Sequence, residues 1–141
     1  MSKRDRYLEH LKEVPMFSVC TKQELQMIAR AGTDLVFAAG RTMVRENTAG
    51  YEFFVICDGK ATVSRDGHDV ATLGPGDFFG ELALLHPGPR NATVTAATKV
   101  EAIVVSAQEL RSLLEGAPSL TYKLLAGMAA RLQELDRQAT D

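Results

Sequence analysis

The chain has 141 residues, enough for one domain with a real core, and its composition fits neither a disordered nor a fibrous protein. With 16 Lys and Arg against 18 Asp and Glu, and a pI near 5.9, it carries no general field that would draw it to nucleic acid. No apolar run approaches the roughly 18 residues of a membrane span and the charged start leads into no signal-peptide core, so a cytoplasmic protein is expected.

From Arg4 to about Ala31 the residues Leu8, Leu11, Val14, Met16 and Phe17, then Leu25, Ile28 and Ala29, recur at helical spacing around Pro15. Two short helices are predicted. Thr21 followed by Glu24 fits a capping box for the second, and Gly32 is placed to end it. Cys20 and Cys57 lack the CxxC spacing of a metal or redox pair and read as buried reduced thiols.

From Asp34 to Ser106 the texture changes to short β-rich runs punctuated by glycine: LVFAAG, TMVREN, YEFFVICDG, KATVSRDG, HDVATLGPGD, NATVTA and VEAIVVS. Asp58-Gly59 and Asp66-Gly67 are hairpin signals, and this density of strands predicts a closed barrel or jelly roll that hides its edges. From Ala107 helices return as AQELRSLLEG, a break at Ala117-Pro118, then SLTYKLLAGMAARLQELDRQ. Leu125, Met128, Leu132 and Leu135 follow a 4,3 apolar spacing. That stripe either packs on the barrel or closes a two-fold interface, and a homodimer through this helix is the possibility carried forward.

The stretch GDFFGELALLHPGPRNATVTA, residues 76–96, carries the chemistry. Gly76, Gly80 and a helix starting at Glu81-Leu82-Ala83 would leave backbone N–H groups unpaired, the makings of an anion site. Arg90 adds a fork of charged donors that suits a phosphate. A carboxylate beside a phosphate would repel it, so Glu81 makes sense only if it accepts from a neutral donor such as a hydroxyl. Equally, Glu81 and Arg90 could form a surface ion pair worth about 0–1 kcal/mol, with the glycines serving turns. Residue types and spacing leave both readings open.

FGELALLHPGPRNATV resembles the phosphate-binding cassette of the cyclic nucleotide-binding domain family, F-G-E-[LI]-A-L, a short gap, then P-R-x-A-T-V. YEFFVICDGKATV is similar to that family's strand–glycine–strand hairpin, and the order helices, β-roll, helices is also the family's. The resemblance implies that Arg90 grips a cyclic phosphate, that Glu81 accepts from the ribose 2′-hydroxyl, and that Gly80, Leu82 and Ala83 cradle phosphate and sugar through their backbone. Asn91 and Ala92 complete the ligand-binding set at the cassette exit. Kinase-type cyclic AMP sites have Ala after the arginine and cyclic GMP sites Thr, whereas here Asn91 stands there. LTYKLLAGMAARLQELD further resembles the long dimer helix of the bacterial catabolite activator class, which implies Arg131 near the Glu81 end of the pocket and Leu135 as an apolar lid over the base.

The expected architecture is therefore α+β, a single domain with N-terminal helices over 1–33, an eight-stranded antiparallel β-roll over 34–106 carrying the cassette at 78–94, and C-terminal helices over 107–141. The expected function is a free-standing sensor of cyclic AMP, alternatively cyclic GMP, that signals through its C-terminal helix to an effector protein in trans. No nucleic-acid partner, cofactor or catalytic residue is expected. A metal-dependent jelly-roll enzyme is the rival, but His10, His68 and His86 have no HxH or HxxxH spacing and no nucleophile sits in a recognisable elbow. A degenerate domain that binds nothing is the third possibility, against which the intact Glu81 and Arg90 stand.

Overall fold

The computed structural model describes residues 3–14, 17–80 and 88–140. Two helices open the chain, α1 (Lys3–Glu13) and α2 (Lys22–Ala31). The capping box forms as its spacing dictates: the Thr21 side chain accepts from the Glu24 N–H at 3.1 Å, and Glu24 Oε1 accepts from the Thr21 N–H at 2.8 Å. Gly32 ends α2, donating its N–H to the Ala29 carbonyl.

Ten strands follow among the described residues: β1 (Thr33–Phe37), β2 (Thr42–Val44), β3 (Ala49–Gly50), β4 (Glu52–Asp58), β5 (Ala61–Arg65), β6 (His68–Leu73), β7 (Phe78–Phe79), β8 (Gly88–Pro89), β9 (Thr93–Ala96) and β10 (Val100–Ser106). Eight of them form the roll, as two four-stranded antiparallel sheets in the orders β1-β10-β4-β7 and β2-β9-β5-β6. The sheets are not joined into a closed barrel. The two-residue strands β3 and β8 make a separate ribbon.

Strands β4 and β10 explain why their sequences run apolar without alternating. Phe53, Val55 and Cys57 of β4, with Ile103 and Val105 of β10, face a core shared with the helices. Phe54 and Ile56, with Val100, Ala102 and Val104, face the interior of the roll, alongside Phe79 and Val94. Each strand is thus a wall between two apolar compartments, and both of its faces must be hydrocarbon.

The two Asp-Gly signals part company. Asp66 and Gly67 adopt φ of 52° and 81°, the left-handed pair that a two-residue hairpin needs, and they join β5 to β6. Asp58-Gly59 makes no hairpin, because β4 pairs with β10 and β7 whereas β5 pairs with β6 and β9. It is instead the crossover between sheets. Gly59 has a φ of 90°, and a Cβ there would overlap the Lys99 carbonyl, so the position needs glycine for a reason other than a hairpin.

The last two helices are α3 (Ala107–Glu115), capped by the Ser106 hydroxyl on the Glu109 N–H at 3.1 Å, and α4 (Pro118–Thr140), with Pro118 at its first position. Leu120 and Leu124 root α4 in the helical core beside Leu25 and Ile28, and Met128 packs against that cluster. Lys123 Nζ reaches Glu24 Oε1 at 2.8 Å and ties this root to α2. Further along, the predicted stripe leaves the core: Leu125 is 55% and Leu132 66% exposed. Packing within the monomer therefore accounts for Met128, against the helical core, but not for these two leucines.

Candidate functional site

Arg90 follows β8 and extends its ribbon by one more pair of backbone bonds. Its N–H donates to the Thr48 carbonyl and its carbonyl accepts from the Asn47 N–H, both at 2.8 Å. The side chain is buried, with 8% of it exposed. Two glycines make the room, since a Cβ on Gly50 would overlap the guanidinium and a Cβ on Gly80 would lie 2.8 Å from Nη1. Gly80 also has a φ of 83°, which a larger residue would hold only under strain. The Phe54 ring, stacked on Phe79 at 4.6 Å between centroids, lies 6.0 Å from Arg90 Cζ.

Among the described residues the partner of this cation is Glu52. Arg90 Nη2 donates to the Glu52 carbonyl at 3.0 Å and to Glu52 Oε2 at 3.2 Å. Burial pulls the guanidinium below its usual range, an effect the Glu52 charge and hydrogen bond oppose, and it stays protonated. Both bonds use Nη2. Neither uses Nη1 or Nε, whose N–H groups are the donors that these bonds leave for an anion.

Of the nine residues singled out by sequence, the structure brings Gly80 to the Arg90 guanidinium. Asn91 and Ala92 form the bend that leads into β9, Asn91 exposed and Ala92 half-buried, and the Asn91 carbonyl accepts from Arg65 Nε at 2.9 Å. Glu81, Leu82 and Ala83 lie outside the described residues. Arg131 and Leu135 fall in α4.

Sequence reasoning missed Glu52 and Gly50. A buried arginine demands a carboxylate nearby, but that signal names no position, and Glu52 lies 38 residues away in the chain. Elsewhere, Cys20 and Cys57 are free and buried, and burial pushes the Cys20 thiol up to about 11. Among the described residues no group of three or more His, Cys, Asp or Glu is placed to hold a metal ion, and no helix is long and apolar enough to cross a membrane.

The model of the cyclic nucleotide-binding domain matches residues 34–117, which span the roll, the Arg90 site and α3. The chain belongs to the cyclic nucleotide-binding domain family. It is 40% identical over 115 residues to the cAMP-dependent protein kinase regulatory subunit of Schizosaccharomyces pombe, covering 81% of this chain and 28% of that protein. It is 33% identical over 110 residues to a CRP-like cAMP-activated global transcriptional regulator of Mycobacterium tuberculosis, covering 74% of this chain and 49% of that one. The N-terminal domain of a transcriptional regulator from Streptomyces coelicolor A3(2) superposes with a TM-score of 0.83 at 29% identity, over 91% of this chain and 95% of that structure. This cyclic nucleotide-binding domain thus spans less than half the length of both sequence relatives, one a kinase regulatory subunit and the other a transcription factor.

Proposed function

We propose that this cyclic nucleotide-binding domain is a sensor of cyclic AMP rather than an enzyme, with Arg90 as the grip on the cyclic phosphate. The observation that carries the reading is the burial of Arg90 between Gly50 and Gly80, with Nη2 engaged by Glu52 and neither described bond using Nη1 or Nε. A cation held this way is pre-organised for an anion and loses little freedom on binding. Gly80, Glu81, Leu82 and Ala83 complete the cradle in this reading, Glu81 accepting from the 2′-hydroxyl. A 2′-deoxy ligand would leave that carboxylate unpaired and bind about 1–3 kcal/mol more weakly.

Asn91 and Ala92 line the cassette exit, while Arg131 and Leu135 of α4 close over the nucleotide. Cyclic AMP is favoured over cyclic GMP because guanine would carry more polar edge into contact with Leu135. Both relatives named above are called cAMP-dependent or cAMP-activated, which supports the same ligand. The response passes through α4 to an effector protein in trans, in the cytoplasm. The exposed Leu125 and Leu132 support a homodimer along that helix. Calorimetric titration of both nucleotides into wild type and Asn91→Ala tests the reading: tighter cyclic AMP binding is expected, with Asn91→Ala weakening both ligands alike. A wild-type preference for cyclic GMP that Asn91→Ala abolishes would make Asn91 a guanine reader and reverse the ligand.

A further inference from the structure

The Arg90 backbone is held by the turn 45–48, and this turn is itself held by one carboxylate. Asn47, whose N–H bonds the Arg90 carbonyl, has a φ of 67°. Asparagine tolerates this left-handed conformation better than most residues, yet it persists only where the surroundings over-determine it. Thr48 contributes by donating its hydroxyl to the Arg45 carbonyl at 2.6 Å. The longer-range ties converge on Glu46. Its N–H donates to Thr93 Oγ1 at 3.0 Å, and its carboxylate accepts the Asp66 N–H at 3.2 Å on Oε1 and 3.3 Å on Oε2. The Thr93 hydroxyl donates to Oε1 at 3.4 Å.

Glu46 therefore joins three segments: the turn after β2, the first residue of β9, and the turn between β5 and β6. Thr93 stands three residues beyond Arg90, so one side chain fixes both the loop that bonds the arginine and the strand that leaves it. Arg65, from the same β5–β6 hairpin, holds the Asn91 carbonyl between them.

We propose that Glu46 is a positioning residue for Arg90: it ties the β5–β6 turn and β9 to the turn 45–48, and so fixes where the arginine enters the phosphate site. The proposal rests on the reading that Arg90 receives the cyclic phosphate. Glu46 itself touches no ligand and acts through the backbone of Asn47 and Thr48. A carboxylate suits the place because its two oxygens can share an N–H and an O–H, which glutamine satisfies with one oxygen and alanine not at all.

The test uses Glu46→Ala, Glu46→Gln and Thr93→Val in the whole chain. Without ligand, hydrogen exchange by NMR should show the Arg90 and Asn47 amides opening about tenfold more readily in Glu46→Ala, the scale of one or two lost hydrogen bonds, with Glu46→Gln close to wild type. With ligand, the probes are cyclic AMP and its two phosphorothioate diastereomers, in which sulfur replaces one or the other exocyclic oxygen. Their affinity ratio reads which oxygen meets the guanidinium. Glu46→Ala should weaken cyclic AMP about tenfold and bring that ratio toward one, whereas a general loosening would weaken both diastereomers alike.

Unchanged exchange at Arg90 and Asn47, or equal losses for the two diastereomers, overturns the proposal. Should Glu46→Ala fold poorly, the near-isosteric Thr93→Val removes both bonds of Thr93 Oγ1 to Glu46, leaves the Asp66 tie, and carries the same expectation. Arg90→Ala titrated in the same series separates the two ideas: wild-type affinity there overturns the phosphate reading, while the exchange arm decides whether Glu46 holds the Arg90 backbone.

Discussion

Around Arg90 the chain buries a charge, whereas along α4 beyond Leu124 it exposes hydrocarbon. The first arrangement is complete within the monomer, with glycine on two sides, an aromatic ring nearby and a carboxylate on Nη2. The second is half complete: Leu120 and Leu124 are packed, while Leu125, Leu132 and the three-quarters exposed Tyr122 meet solvent. A buried cation needs hydrogen-bond partners close by, and this one finds them inside the same fold. Exposed leucines cost little, and the helix can await a partner or a ligand.

The largest effect should come from breaking the buried side of this contrast. Arg90→Ala should weaken cyclic AMP binding by about 2–4 kcal/mol by calorimetry, through loss of a charge-assisted partner, with Arg90→Lys recovering only part. Gly50→Ala should approach the same loss without touching the arginine, because its methyl occupies the guanidinium's place. If Gly50→Ala binds as wild type does, the packing argument is wrong.

Next in size is the counter-charge. Glu52→Gln keeps an acceptor for Nη2 but leaves the guanidinium without its described carboxylate. Since the Glu52 side chain is 48% exposed, solvent screens the pair, and a stability loss of only about 1 kcal/mol is expected from chemical denaturation. A loss several times larger would mean that Glu52 is sheltered more fully than its exposure indicates.

On the exposed side, Leu125→Glu with Leu132→Glu should shift unfolding by no more than about 0.5 kcal/mol per site, since neither leucine is packed in the monomer. Light scattering should then find a dimer in wild type and a monomer in the double variant. A wild-type monomer at tens of micromolar, roughly tenfold above a micromolar dissociation constant, would remove the dimer.

The smallest effect concerns the root of α4. Lys123, and after it the Thr21 N–H, hold the Glu24 carboxyl below the usual carboxylate range. A depressed folded-state value contributes stability above the unfolded value of about 4.3, and that stability is lost as pH falls through the folded value. Thermal unfolding of wild type against Lys123→Met should therefore differ at neutral pH and converge in acid. Parallel curves throughout would show that the pair contributes nothing.

Local signals were legible wherever neighbours in sequence are neighbours in space. The Thr21 and Glu24 capping box, the Gly32 stop and the Asp66-Gly67 hairpin all depend on residues a few positions apart, and each is found where the sequence placed it. Asp58-Gly59 misled because the same dipeptide serves a tight turn or a crossover, and only the partner of the following strand distinguishes them. The 4,3 stripe left two readings open because spacing names a face of a helix and not what covers it.

The sequence by itself determined the order of helices and strands and the candidacy of Arg90 and the glycine before Glu81. These rest on period, turn chemistry and a contiguous motif. Tertiary structure alone decided that Glu52 bonds Arg90 across 38 residues, that Gly50 makes the space, and that Glu46 gathers Thr93 and Asp66. Such contacts follow from strand pairing and sheet crossover, and pairing depends on the packing of whole surfaces, which no short stretch of residues encodes.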